Sequence, residues 1–115
     1  MTLHELIKEY KDQAYICFKI DYADKKSVKS SNDAVKRMYE IVDIIKSQFG
    51  VLGINEFSTL LDVKENNIYI WAAPQLLEKM SPSQEIKSKA LEIIREVSKE
   101  DSVRGIGFRN WLKQH

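Results

Sequence analysis

Two apolar stripes of one period, joined by a single Ser-Pro turn, constrain this chain more than any other feature. Between Asn66 and Leu112 the first stripe is Ile68, Trp71, Ala72 and Leu76, and the second is Ile86, Ala90, Ile93, Ile94 and Val97. Spacings of one, three and four put each set on one face of an α-helix. Neither helix can bury its stripe alone, so helices joined by a short turn must face each other. The chain is committed to helix-on-helix packing. Its four glycines and two prolines are too few for the many tight turns of a β-sandwich or barrel.

At 115 residues the chain reads as one domain, residues 1–115. A chain of this size removes roughly two thirds of its unfolded surface from water, so it needs no disulfide or metal to fold. Its single cysteine excludes an internal disulfide and fits a reducing compartment. The N-terminal MTLHELIKEYKD is charged and periodic and is not a secretory leader. Apolar runs are only a few residues long, so no membrane span is expected and the expected location is the cytoplasm.

The order of elements follows from stripes and stop signals. A first helix is expected over Leu3–Tyr22, with Thr2 as N-cap and Glu5 completing a capping box. Its stripe is Leu3, Leu6, Ile7, Tyr10, Ala14, Cys17 and Phe18, which makes Cys17 a buried apolar residue. Ala23–Asn32 is polar, has no apolar period and reads as a linker. Ser31 or Asn32 then caps a second helix to Phe49, with Gly50 in the place of a C-terminal glycine. Val51, Leu52 and Gly53 make a connection, and a short third helix runs from Asn55 to Leu61. A fourth helix starts near Asn66 or Asn67, ends at Met80 and is expected to kink at Pro74, whose ring clashes with the carbonyl four residues back. Ser81 as cap and Pro82 at the first helical position start a fifth helix to about Ser98. Ser102–Gly107 is a loop with two glycines suited to positive φ, and Phe108–Lys113 a short closing helix.

The chemistry-bearing residues are sparse. His4 and His115 stand at opposite ends, with no His or Cys pairs at ligand spacing, so no metal site is expected. Gly105-Ile106-Gly107 lacks the later glycine and preceding strand of a phosphate loop. No spacing joins a nucleophile to a base. The expectation is a non-enzyme without cofactors. Charge comes in blocks. Residues 25–37 hold five bases and one acid, among them Lys25, Lys26, Lys29, Lys36 and Arg37. With an overall net charge of only +1, that block reads as solvated surface, and nucleic-acid binding is a weak alternative. Residues 38–85 hold seven acids and three bases. Glu40, Asp43, Glu56, Asp62, Glu65 and Glu78 in this block could meet a basic partner by charge complementarity. Tyr39 and Tyr69 sit one position off the buried stripes, where an exposed aromatic makes a binding anchor. Trp71 and Trp111 fit core positions better.

The tract Ile68-Tyr69-Ile70-Trp71-Ala72-Ala73-Pro74-Gln75-Leu76-Leu77 resembles the second-helix signature of HEAT-like α-solenoid repeats. With Ala90-Leu91, Ile94, Gly107-Phe108 and Trp111, residues 55–113 resemble a small bacterial family of HEAT-like domains of unknown function. That family tends to carry a basic residue where Tyr69 stands, and a helix-continuing residue where Pro74 stands. The resemblance implies an all-α, α-α superhelix of HEAT-like helical pairs, with five helices plus a short C-terminal helix. It also implies the setting of toxin–immunity systems. The expected function is therefore a protein-binding module, monomeric or weakly dimeric. Most concretely it is an immunity protein that neutralises a bacterial toxin domain through Tyr39, Glu40, Asp43, Glu56, Asp62, Glu65 and Tyr69. A HEAT-like adaptor of another partner is the alternative.

Overall fold

The structure, a computed structural model, describes residues 1–115 and is all-helical, with five α-helices and no strands. The first helix, α1 (Leu3–Phe18), starts on the expected capping box. The Thr2 hydroxyl accepts from the Glu5 amide at 3.1 Å, and the Glu5 carboxylate accepts from the Thr2 amide at 3.0 Å. The helix stops at Phe18 rather than Tyr22. Beyond it, Ser27 Oγ accepts from the Asp21 amide (2.9 Å) and the Asp21 carboxylate from the Ala23 amide (3.0 Å). Such local bonds give the backbone an alternative to the helical ladder.

The expected linker at Ala23–Asn32 is instead mostly helix. α2 (Lys25–Ser58) begins at Asp24, whose carboxylate accepts from the Lys26 amide at 3.0 Å. The missing apolar period misled because these first turns bury almost nothing except Ser31, whose carbonyl lies 3.8 Å from the buried Cys17 sulfur. Gly50 divides α2 into arms 25–49 and 51–58. Its φ of 55° and ψ of −136° belong to a region only glycine enters freely. The chain turns within that one residue, so Val51, Leu52 and Gly53 are already helical and not a connection. The second arm ends in two 3₁₀ turns, Thr59–Asp62 and Glu65–Asn67.

α3 (Ile68–Gln75) follows Asn67, which takes a left-handed conformation (φ 60°) but makes no side-chain cap. The helix runs through Pro74 without a break and opens into a π turn, Leu76–Met80. Ser81 is left-handed (φ 47°), and Ser83, not Ser81, caps α4 (Gln84–Ser98). Pro82 therefore precedes the cap rather than occupying the first turn. The loop expected at Ser102–Gly107 is also helix. Ser102 Oγ accepts from the Gly105 amide at 3.1 Å and starts α5 (Val103–Gln114). Gly105 is there for space, not for positive φ: a Cβ would lie 2.1 Å from the Glu100 carbonyl oxygen.

α1 lies along α2, α3 packs on α4 and α4 on α5, with α3 also touching α1 and α2. The shared core joins Leu6 and Tyr10 of α1, Met38, Ile41 and Ile45 of α2, Phe57, Leu60, Leu76 and Ile94. Tyr10 meets Phe57 edge to face, with ring centroids 4.8 Å apart.

Candidate functional site

Beside the buried Ile68, Ala72 and Leu76 runs a second set at helical spacing, Trp71, Pro74 and Gln75 of α3 and Glu78 of the π turn. On α5, Arg104, Gly107, Phe108 and Trp111 follow one another at the same spacing. Between these faces, with Tyr39 of α2 at one end, lies an open groove of about 350 Å³. Tyr39, Trp71, Phe108 and Trp111 are all half-buried: each packs on one side and leaves the other to the groove.

Glu78 ties these walls together. Its Oε1 accepts from Trp111 Nε1 at 2.5 Å, and its Oε2 from the Tyr39 hydroxyl at 3.4 Å. The His115 ring stacks on Trp111 (4.3 Å between centroids, 26° between planes) and brings Nε2 to 3.9 Å from Glu78. Burial, and then the Glu78 charge, pushes the Tyr39 phenol above its ordinary pKa and keeps it a donor. A carboxylate has about four lone-pair positions, so two donors leave acceptor capacity facing the groove.

Beneath Glu78, Gln75 is buried at 1% exposure. Its Oε1 accepts from the Tyr10 hydroxyl at 2.7 Å, while its Nε2 has no hydrogen-bond partner. Burial also holds the Tyr10 phenol well above its ordinary range. A buried amide without a partner is uncommon, and here it lies in a groove wall.

The residues expected to bind a partner are dispersed. Only Tyr39 lies in the groove. Tyr69 is on the neighbouring face, half-buried under Lys64, whose Nζ is 3.9 Å from the ring centroid. Glu40 pairs with Arg37 (3.1 Å) and Asp62 with Lys89 (2.7 Å). Glu56 shares a depression with His4, Lys8 and Lys11 of α1, and Glu65 a smaller one with Lys11 and Asp12. Asp43 is exposed on α2. Bases, from the same helix for Glu40 and from other elements for Glu56, Asp62 and Glu65, stand beside these acids, which form no single negative face. Trp71 and Trp111, read from the sequence as core, have one side in the groove. Of the acidic block, Glu78 alone lines the groove. Gln75 and Phe108 were missed: the signal for Gln75 was the second period at 71, 75 and 78, and only the fold brings Phe108 of α5 opposite it.

No three His, Cys, Asp or Glu side chains converge at metal-binding distance. The Cys17 thiol is buried, which pushes its pKa up. No helix is long and apolar enough to cross a membrane. In comparisons with known proteins, the chain matches no family model, no curated protein and no solved structure.

Proposed function

We propose that this chain is a non-catalytic protein-binding module, most concretely an immunity protein that occludes a toxin domain, and that its partner enters the groove between α3 and α5. The observation that carries this is the Glu78 carboxylate set among Tyr39, Trp71, Phe108 and Trp111. Aromatic side chains at the centre of a concave patch are the usual anchors of an interface. A carboxylate among aromatic faces suits a lysine or arginine, which gains a charge-assisted hydrogen bond and a cation–π contact together. The partner surface we infer is therefore a basic side chain within an apolar rim. A stack of HEAT-like helical pairs is the finer fold reading that goes with it, supported by the sequential packing of α1 on α2, α3 on α4 and α4 on α5.

The test is growth rescue. The immunity reading expects a toxin-like domain to be encoded beside this chain in the native genome, and the chain is co-expressed with that domain. Rescue is expected, and it should be lost on Glu78→Lys and on Tyr39→Ala but kept on Glu56→Lys and Asp62→Lys. Thermal melts of each variant separate lost binding from lost folding. Rescue that survives both groove substitutions would remove the groove from the account. Absence of rescue by the wild-type chain would remove the immunity reading.

A further inference from the structure

Trp111 also lines a second depression, of about 500 Å³, between the π turn, α4 and α5. Its apolar lining is Leu77, Leu91, Leu112 and Trp111 itself, and its rim carries Lys87, Arg95 and His115. Lys87, Leu91 and Arg95 recur every four residues on α4, so one cation stands a turn to each side of Leu91. Neither cation is in an ion pair, although the neighbouring Lys89 and Lys99 both are. Glu78, across Trp111 from this depression's cations, lies 3.9 Å from His115 and accepts from the Trp111 indole.

We propose that this depression binds a small amphiphilic anion, a free carboxylate on a medium-length alkyl or aryl body. Two unneutralised cations over an apolar floor favour a ligand with both characters. A bare anion would leave three leucines and an indole in water, and a neutral apolar molecule would leave both cations unanswered. The volume lies in the usual range of small-molecule sites. An acidic side chain of a partner protein is the poorer fit, because its one or two methylenes cannot cover that floor. The site shares only Trp111 with the α3–α5 groove and does not rest on the protein-binding reading.

The test is titration of the full chain with decanoate at neutral pH and low salt, read by calorimetry and by amide chemical shifts. Saturable one-to-one binding is expected, with shifts confined to residues near 77, 87–95 and 111–115. Lys87→Gln/Arg95→Gln should weaken it by about tenfold or more, the loss expected for one or two charge-assisted bonds. Both side chains are exposed, so the double variant should keep the wild-type melting temperature. Decanol should bind at least about tenfold more weakly than decanoate. Equal affinity for decanol, unchanged affinity in the double variant, or shifts elsewhere in the chain would each overturn the site. So would an acidic peptide that binds there while decanoate does not.

Discussion

Gln75 and Tyr10 are 65 positions apart and share one buried hydrogen bond, and each is costly to strand. Tyr10→Phe removes the only partner of an amide whose Nε2 is already orphaned. It should destabilise by about 1–3 kcal/mol in denaturant unfolding. Gln75→Leu alone strands the phenol instead. The double variant strands nothing, so it should lose clearly less than the two single losses added together; strict additivity would mean that the bond carries no coupling. Glu9 gives a pH signature. The Arg37 guanidinium hydrogen-bonds both carboxylate oxygens, one at 2.9 Å, and holds the Glu9 carboxyl below its usual range, with partial burial opposing. A folded pKa below the unfolded one contributes stability that is full above the unfolded value and is lost as pH falls through the folded one. Glu9→Gln should therefore melt below wild type at neutral pH, and the gap should close as pH drops below about 4. A gap that persists at low pH would point to lost packing instead. At this scale the sequence was legible where chemistry is local, as in Thr2 with Glu5 and in the buried Cys17. Tyr10 with Gln75 was illegible, because only the fold brings those residues together.

The three informative glycines of the helices differ in kind, and so should their alanine variants. Gly50 needs its backbone angles and has empty space where a Cβ would go, so Gly50→Ala should cost about 1–3 kcal/mol through strain alone. Gly105 is helical, but a Cβ would meet the Glu100 carbonyl at 2.1 Å, and backbone cannot yield cheaply. Gly105→Ala should destabilise by at least as much. Gly107 is helical, exposed and has nothing within 4 Å, so Gly107→Ala should stabilise by up to about 1 kcal/mol. Melting curves of the three variants check the order. A destabilised Gly107→Ala would show that α5 is not helical there. Element boundaries were misread where a polar cap did the work an apolar stripe usually signals. Asp24 starts α2 inside a lysine- and serine-rich stretch, and Ser102 starts α5 just before two glycines. Apolar periodicity reports burial, and these first turns face water. Where a stripe existed, as in α1, the middle of α2, and α4, helix type and buried face followed from it, except that Phe18, the last residue of the α1 stripe, is 50% exposed where the helix ends.

At the scale of the molecule, three separate chain regions build one groove: Tyr39 from α2, Trp71 to Glu78 from α3 and the π turn, and Arg104 to Trp111 from α5. The composition of a linear block could not reveal this. The acidic count in residues 38–85 pointed to a negative face, yet Arg37 and Lys89 pair with Glu40 and Asp62. The all-helical class was legible because the stripes left no other packing. The site was legible only as a second stripe on α3, without the α5 wall that gives it meaning. The central claim is that a partner is held in this groove. The most direct measurement is hydrogen exchange of the chain alone and in complex with the proposed toxin domain. Exchange should slow in α3, the π turn and α5, with α1 and residues 55–66 unchanged. Protection centred on Glu56, Asp62 and Glu65, with the groove amides unaffected, would contradict it.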